Sequence, residues 1–330
     1  MTSAHPVDLA TLTDLCTPWC VHVAATLGIP DRLAAGVGDV DELAAATGSD
    51  PGALGAVLEH LASKGVVEPV GAGRYALTSL GDELRLQTPW LDLSGIGGRF
   101  AGAWATLPTY VRTGEPGYHE AFGTPFWEDL AAHPHLAAGF DALMGPGHGV
   151  PSPELPLTGG WDAVRHVVDV GGGTGSMLAA ILRAHPGARG TLVDLPGTVA
   201  RAAETFAAAG VTDRVATVGQ SFFDPLPAGA DVYLLRKVLE DWPDRDTDAI
   251  LARCAEAARP AGRVLVAGGV APDDARVALT IEMVLLGGRT DGLARFRVRA
   301  ADAGLEVTAA GKDPTGRLVV ECAPRSGGGA

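Results

Sequence analysis

A glycine-rich segment near the middle of the chain has the composition of a nucleotide-binding turn. Residues 171–175 read Gly-Gly-Gly-Thr-Gly and directly follow a short β-branched run that contains Asp169. Glycines at the end of a strand let a ligand approach the backbone and the N-terminus of the next helix closely. Asp194 ends the following β-branched run. A carboxylate at that place can accept hydrogen bonds from both hydroxyls of an adenosine ribose.

Two cofactor classes compete for this turn. A nicotinamide dinucleotide site would share the glycines and the acid at the end of the second strand. The G-x-G-x-G spacing, the preceding Asp169 and the position behind a long helical segment disfavour it. These features favour an adenosine cofactor of another class.

Aromatic side chains are concentrated between residues 100 and 127, although only 5% of the chain is aromatic. Core packing explains most such residues in a helical segment. The same concentration also makes this segment the best candidate for the wall of a flat, apolar ligand pocket.

The elements that would position these residues alternate between β-branched runs and amphipathic stretches from residue 164 onward. The predicted strands cover residues 167–170, 191–194, 215–218, 231–235 and 264–267. Such alternation is typical of βαβ units and of a parallel, doubly wound sheet. Residues 305–322 predict a terminal hairpin instead, with Gly311, Pro314 and Gly316 in its turn.

The N-terminal part of the chain predicts helices and a hairpin in the order of a winged helix. Residues 8–34 have apolar positions at helical spacing and predict one or two largely buried helices. Two shorter helices are predicted at 41–47 and 51–63, and a hairpin at 66–77. Between residues 39 and 83 eight acids face only Lys64 and Arg74 as basic side chains. This balance argues against DNA binding and favours a structural or dimerisation role.

Composition limits the class of protein and its partners. The 330 residues are 47% apolar and have a net charge of −14. The chain is long enough for two domains, and its charge has the wrong sign for nucleic acid or anionic lipid. No basic and apolar leader and no run of 18 apolar residues is present. We expect a cytoplasmic protein that binds neither nucleic acid nor membrane.

The four cysteines are too few for a disulfide scaffold. Cys16 and Cys20 have the spacing C-x-x-x-C rather than that of the redox motif C-x-x-C. We therefore predict buried free thiols and no metal site.

Taken together, these motifs resemble those of the S-adenosylmethionine-dependent small-molecule O-methyltransferases, of the caffeic-acid type in plants and of the bacterial aromatic polyketide and anthracycline type. The resemblance covers nearly the whole chain and rests on residues 169–175, 194–196, 222–227, 238–242 and 287–288. It implies an α/β fold with a Rossmann-like seven-stranded sheet whose last strand is reversed. It also implies a homodimer formed through the N-terminal domain.

The resemblance divides the chain into three parts. Residues 1–97 would form a winged-helix dimerisation domain, and residues 98–160 a helical bridge that lines the substrate pocket. Residues 161–326 would form the S-adenosylmethionine-binding domain.

The resemblance also assigns cofactor contacts. The glycine turn would hold the methionyl end of the cofactor, Asp194 the ribose, and Phe222 the adenine. The acid that usually precedes this phenylalanine is Ser221 here, which offers a weaker hydrogen bond. The implied cofactor-binding residues are Asp169, Gly171, Gly173, Asp194, Leu195, Ser221, Phe222 and Arg236.

The main departure from the family concerns the removal of a proton. Many members have His-Asp-Trp after the fourth strand, with the histidine as base, whereas this chain has Glu240-Asp241-Trp242. Residues 266–270, after the fifth strand, hold no carboxylate either. Either Glu240 becomes the base through a pKa raised in a dry pocket, or it is a structural acid and methyl transfer relies on proximity. Glu240 and Asp241 are the candidate catalytic residues, and we favour proximity.

The substrate pocket implied by the resemblance contains Trp104, Phe126, Trp127, Met144 and His148, of which His148 is also explained as a loop residue. The predicted activity is methylation of a phenolic hydroxyl on an aromatic, polyketide-type metabolite of antibiotic biosynthesis. One alternative is a relative that binds the cofactor but catalyses hydroxylation, decarboxylation or cyclisation. Another is a dimeric binding protein without catalytic activity.

Overall fold

In the computed structural model, which describes residues 8–144 and 152–325, the polypeptide divides between Gly102 and Ala103 into two units. The first unit contains the predicted N-terminal helices and hairpin. The second contains the βαβ region and almost all of the helical segment predicted at 98–160.

The first unit is built of short helices and one antiparallel hairpin. Its elements are α1 (Leu9–Leu12), α2 (Cys16–Thr26), α3 (Ile29–Ala34), α4 (Val40–Thr47), α5 (Pro51–Ser63), β1 (Val67–Gly71), β2 (Arg74–Leu77) and α6 (Ser79–Leu91), and α7 (Ile96–Ala103) reaches the division. Side-chain caps fix where two helices begin. Asp39 accepts hydrogen bonds from the backbone N–H groups of Asp41 and Glu42, and Asp50 accepts one from Ala53.

The core of this unit confirms the predicted order of helices and hairpin. Leu43 and Leu54 are 0% and 3% exposed in one apolar cluster with the hairpin. Leu9 and Leu12 are instead 73% and 70% exposed. The prediction that residues 8–34 are largely buried is therefore wrong for the start of that stretch, because α1 buries none of its residues against the described part of the unit.

Helices with aromatic side chains open the second unit. They are α8 (Leu107–Thr113), α9 (Tyr118–Phe122), α10 (Phe126–Ala132) and α11 (Pro134–Met144). Phe126 contacts Tyr118 and Phe140 edge-on, with ring centroids 5.3 and 5.5 Å apart. The Tyr118 hydroxyl donates a hydrogen bond of 2.6 Å to Asp129 Oδ2. Core packing therefore explains part of the aromatic enrichment.

The remainder of the second unit alternates strands and helices. Its elements are β3 (His166–Val170), α12 (Ser176–Ala184), β4 (Arg189–Asp194), α13 (Pro196–Ala209), β5 (Val215–Gly219), β6 (Val232–Arg236), α14 (Asp244–Ala257), β7 (Arg263–Ala267), β8 (Val270–Ala271), α15 (Ile281–Leu286), β9 (Asp291–Gly292), α16 (Leu293–Asp302), β10 (Leu305–Lys312) and β11 (Leu318–Pro324). Every strand predicted from the sequence is present.

In the described part of the chain, seven strands form one sheet in the order β10-β11-β7-β6-β3-β4-β5. Strands β3 to β7 of this sheet pair in parallel, and β11 is antiparallel to both β7 and β10. The predicted sheet with a reversed last strand is confirmed. Strands β8 and β9 form a separate short parallel pair.

Helices cover both faces of the sheet. Val168 and Val170 pack into one apolar cluster, and the neighbouring Val167 packs into a second one on the other face. Strands buried on both faces have nearly continuous apolar sequences, which is why these runs were recognisable. Within the described residues, no helix combines the length and the apolar character needed to cross a membrane.

Candidate functional site

The carboxyl ends of the parallel strands meet along one edge of the sheet. β3 lies between β4 and β6, and the helices that follow these strands leave this edge. Ligands of open α/β sheets bind in the crevice that forms where the strand order reverses. The glycine turn after β3 lies at that crevice.

The backbone of the glycine turn has a conformation that residues with a side chain disfavour. Gly171, Gly173 and Gly175 have φ angles of 68°, 60° and 80°, in the left-handed region. A Cβ on Gly171 would lie 2.9 Å from Val238 and 3.2 Å from Phe222, whereas a Cβ on Gly173 would meet no described residue within 4 Å. The turn is therefore closed at Gly171 and open at Gly173.

Asp194 ends β4 beside this turn. Its Oδ2 atom accepts a hydrogen bond of 2.8 Å from the Gly173 N–H, and its Oδ1 atom accepts one of 2.7 Å from the Leu195 N–H. Burial raises the pKa of Asp194, and these two backbone hydrogen bonds oppose the shift. The carboxylate is thus fixed at the open side of the turn, and each oxygen retains a lone pair for a ligand.

Asp169 is a buried acid inside β3. It is 1% exposed, and its Oδ2 atom has no hydrogen-bond partner among the described residues. Burial raises the pKa of Asp169 to about 7, and the Arg236 guanidinium at the end of β6 opposes this shift. A Cβ on Gly172 would lie 2.5 Å from the Asp169 carboxyl group, so this acid packs directly under the turn.

An aromatic wall follows β5 and β6 at the same edge. Trp242 contacts Phe222 and Phe223 nearly at right angles, with ring centroids 5.5 and 5.0 Å apart. Its other neighbour is Trp127 of α10, whose ring is stacked 6.3 Å away with 18° between the planes. Among the described residues, the buried Trp127 Nε1 atom has no hydrogen-bond partner. Flat rings therefore border the crevice on the side of β5 and β6.

Glu240 and Asp241 lie in a short 3-10 turn at Leu239–Asp241. Glu240 Oε2 accepts a hydrogen bond of 3.0 Å from the Gly269 N–H, so this carboxylate ties the 3-10 turn to the turn after β7. The pKa of Asp241 is well above its ordinary range, because of burial first and then the charges of Glu240 and Glu282. Burial therefore disfavours the charged form of Asp241, while Glu240 has a structural partner.

Comparison with known proteins assigns the family. An O-methyltransferase domain model matches residues 104–301, and an O-methyltransferase dimerisation domain model matches residues 9–85. The chain belongs to the O-methyltransferase family.

Two curated relatives are similar in sequence but differ in the reaction they are named for. The 2,7-dihydroxy-5-methyl-1-naphthoate 7-O-methyltransferase of Streptomyces carzinostaticus is 43% identical over 93% of this chain and 95% of its own length. The aclacinomycin 10-hydroxylase RdmB of Streptomyces purpurascens is 44% identical over 79% of this chain and 71% of its own length.

A solved relative has the same fold. The O-methyltransferase NcsB1 from neocarzinostatin biosynthesis, in complex with S-adenosylmethionine and 2-hydroxy-5-methyl naphthoic acid, superposes with a TM-score of 0.87. It is 41% identical, and the match covers 97% of this chain and 100% of that chain. The cofactor of this O-methyltransferase is S-adenosylmethionine, as predicted from the motifs.

The residues present in this O-methyltransferase suit that cofactor. Directly under the turn, Asp169 Oδ2 has no hydrogen-bond partner within the described ranges 8–144 and 152–325, and Gly173 leaves open space there at the turn surface. A buried carboxylate with a free acceptor favours a ligand that brings a hydrogen-bond donor or a positive charge.

The fold brings most of the predicted site residues to one edge of the sheet. Phe222 lies over Gly171. The Ser221 hydroxyl oxygen accepts a hydrogen bond of 3.2 Å from the Phe223 N–H, and its own hydrogen remains free to donate to a ligand. Leu195 is 40% exposed at the end of β4.

The residues predicted to bind the substrate differ in their surroundings. Phe126 and Trp127 are in contact with each other, with ring centroids 5.1 Å apart. Trp104 lies in a 3-10 turn at Trp104–Thr106 and is 42% exposed. Met144 is the last residue of α11, and His148 lies outside the described residues.

The structure adds residues that the sequence analysis did not assign. Trp242 belonged to a recognised motif, and its contact with Trp127 makes it part of the aromatic wall. Arg201 Nε of α13 donates a hydrogen bond of 2.6 Å to Asp141 Oδ2 of α11, and both charges act on Asp194. No local sequence pattern predicts the pair of Arg201 and Asp141, because it forms only when α11 and α13, which are far apart in the chain, pack together.

The cysteines depart in part from the prediction. Cys254 and Cys322 are buried free thiols, and burial raises the pKa of each to about 12. Cys16 is free but exposed, so the prediction of burial is wrong for this residue. The reason is its position in the first turn of α2, next to the uncovered α1.

Proposed function

We propose that this O-methyltransferase methylates a phenolic hydroxyl of a fused-ring aromatic acid of the hydroxynaphthoate type. The observation that supports this substrate class is the stack of Trp127 on Trp242 beside the glycine turn. A wall of flat indole and phenyl rings suits a flat bicyclic substrate. The naphthoate methyltransferase among its relatives is named for such a substrate.

The cofactor-binding residues are proposed from the geometry of the turn. Asp194 is placed to accept the ribose hydroxyls, and the open face of Gly173 leaves room for the ligand at the backbone. Phe222 offers a ring for the adenine, with Ser221 as donor beside it. The proposed set of cofactor-binding residues also contains Asp169, Gly171, Leu195 and Arg236. When bound there, S-adenosylmethionine supplies the electrophilic methyl group.

The residues of the 3-10 turn are proposed to position rather than to deprotonate. Glu240 accepts a hydrogen bond from the Gly269 N–H, and the raised pKa of Asp241 disfavours its charged form, which is the form that a base needs. General base catalysis is worth about 10²–10⁴ in rate, whereas positioning can contribute about 7–11 kcal/mol. We therefore propose that proximity and in-line orientation carry the transfer.

A second candidate function is hydroxylation without methyl transfer. The aclacinomycin hydroxylase is 44% identical to this chain and the naphthoate methyltransferase 43%, although the hydroxylase match covers a smaller part of this chain, 79% against 93%. A missing histidine base, with Glu240 in a structural role, is compatible with either chemistry.

The two functions differ in what happens to the cofactor. The purified protein should be incubated with S-adenosylmethionine, 2,7-dihydroxy-5-methyl-1-naphthoate and a thiol reductant, which supplies the two electrons that hydroxylation by O2 requires, in air and under argon. Methyl transfer predicts one S-adenosylhomocysteine for each methylated product, independent of oxygen. An oxygen-dependent hydroxylated product without S-adenosylhomocysteine would instead establish the second function.

We also propose a cytoplasmic homodimer that binds no nucleic acid. The chain contains a dimerisation domain, and Leu9, Leu12 and Leu15 are more than two-thirds exposed in the single chain. Apolar residues grouped in this way are typical of a surface that a partner covers.

A further inference from the structure

Two thiols and an imidazole converge in the first unit, remote in sequence from the glycine turn. Cys16 and Cys20 of α2 have their sulfur atoms 3.8 Å apart. His60 of α5 joins them, and one ligand atom from each of the three residues lies within 4.8 Å of the others. The methyl transfer proposed above uses none of these side chains.

The fold places the three groups through local and tertiary contacts. Residues four apart lie on the same face of a helix, which brings Cys20 under Cys16. Asp14 Oδ1 accepts hydrogen bonds from the N–H groups of Cys16 and Thr17, and this fixes the start of α2. Thr17 donates its hydroxyl hydrogen to Asp14 Oδ2, so its oxygen accepts the 2.8 Å hydrogen bond from His60 Nε2. Nδ1 is then the imidazole nitrogen that keeps a lone pair for a metal. Asp14 thereby orients His60 through Thr17.

A disulfide does not fit this arrangement. Cβ atoms of residues four apart on a helix are about 5–6 Å apart, whereas a disulfide needs about 3.5–4.5 Å. Closing the bond would require α2 to unwind at its first turn. The pair is therefore better suited to sharing a ligand than to oxidation.

The spacing of the sulfur atoms matches a tetrahedral metal site. Two sulfur ligands that are each about 2.3 Å from a tetrahedral Zn²⁺ lie about 3.8 Å from each other. Cysteine and histidine are the ligands that Zn²⁺ prefers. Asp14 is engaged by Lys64 and by the N-terminus of α2, so the fourth ligand must come from outside these side chains, at the side of Cys16 that is exposed in the single chain.

We propose that Cys16, Cys20 and His60 form a binding site for one tetrahedral, thiol-seeking divalent cation such as Zn²⁺. Binding replaces the two thiol protons, which pass to solvent, by two metal–sulfur bonds. Thr17 acts as a positioning residue that keeps the imidazole turned toward the sulfur atoms.

The proposal is tested with the full-length, tag-free and reduced protein, using Co²⁺ as a spectroscopic probe and Zn²⁺ as its competitor. We expect one equivalent of Co²⁺ to give thiolate-to-metal charge-transfer absorption, which one equivalent of Zn²⁺ abolishes. C16S, C20S and H60A should each weaken Co²⁺ binding by about tenfold or more. C16S is the decisive variant, because Cys16 is exposed and its replacement leaves the core intact.

C254A and C322A are the matched controls, because they remove the two thiols that lie in the core of the second unit. Both should bind Co²⁺ as the unmodified protein does. The proposal is overturned if C16S retains the absorption band, if C254A loses it, or if the unmodified protein gives no thiolate band at all. The measurement involves no substrate or S-adenosylmethionine, so its outcome is independent of the proposed methyl transfer.

Discussion

Asp169 links the proposed cofactor site to the stability of the fold. Its pKa is raised to about 7 by burial, whereas an exposed aspartate titrates near 3.8. Between these two pH values the unfolded chain has lost the proton and the folded chain has kept it. Stability must therefore fall as pH rises from about 4 to 7, and it changes no further from this cause above pH 7.

The D169N variant should lack this dependence. We expect the free energy of unfolding of the cofactor-free protein to fall, relative to D169N, by up to about 4 kcal/mol between pH 4 and pH 7. Urea unfolding of both proteins across this range measures the difference. D162N, which replaces an exposed aspartate, should follow the unmodified protein. Parallel pH profiles for D169N and the unmodified protein would show that Asp169 is not the group described here.

The role of Glu240 is tested with a variant that keeps the shape of the side chain and removes its charge. In E240Q the amide oxygen can still accept the Gly269 N–H, while the ability to take a proton is lost. If positioning dominates, turnover should fall by less than about tenfold, and the pH–rate profile should keep its form. E240A should lower both the melting temperature and turnover further, because the bond between the two turns is gone.

The alternative hypothesis, in which Glu240 is the catalytic base, predicts a different result. If it is the base, E240Q should lose about 10²–10⁴ in turnover, and one ionisation should disappear from the pH–rate profile. That pattern, with S-adenosylmethionine affinity unchanged, would refute the positioning role.

At the scale of elements, the glycine turn offers a comparison between two glycines with the same backbone. Gly173 and Gly210 have φ angles of 60° and 68°, and a Cβ on either would meet nothing within 4 Å. G173A and G210A should therefore lose similar stability, about 1–2 kcal/mol each. Only Gly173 borders the proposed cofactor site, since Gly210 caps the far end of α13.

Calorimetric titration with S-adenosylmethionine distinguishes the two glycines. G173A should bind at least about tenfold more weakly, because its methyl group enters the space left for the ligand, and G210A should bind as the unmodified protein does. Equal affinities would mean that the glycines at residues 171–175 serve only to turn the chain.

The elements themselves were predictable where their cause is local. The helix at 51–63 begins at its proline after the Asp50 cap, as its sequence indicates, and each predicted strand is present. The prediction of burial was wrong for α1 and the start of α2, because apolar spacing shows that a helix has an apolar face and does not show what covers that face.

At the scale of the whole molecule, we expect a dimer because the apolar face of α1 and the start of α2 is exposed in the single chain. The unmodified protein should have twice the 33.6 kDa mass of one chain by light scattering, and the double variant L12D/L15D should be close to 33.6 kDa. V298D is the control, since Val298 is a single apolar residue 63% exposed on α16 in the second unit. A monomeric unmodified protein, or a dimeric double variant, would exclude α1 and the start of α2 as the interface.

The sequence by itself determined the strands and the glycine turn, because β-branched runs, glycines and caps act on neighbouring residues. Its motifs resembled those of a known family, and that resemblance indicated the cofactor. The tertiary structure alone decided that Glu240 is held by Gly269, that Trp127 stacks on Trp242 and that Asp169 Oδ2 has no partner in the part of the chain that the structure describes. Each of these facts depends on segments far apart in the chain. Burial, and with it the pKa of an acid, is set by what packs against a residue from elsewhere, and no local pattern records that.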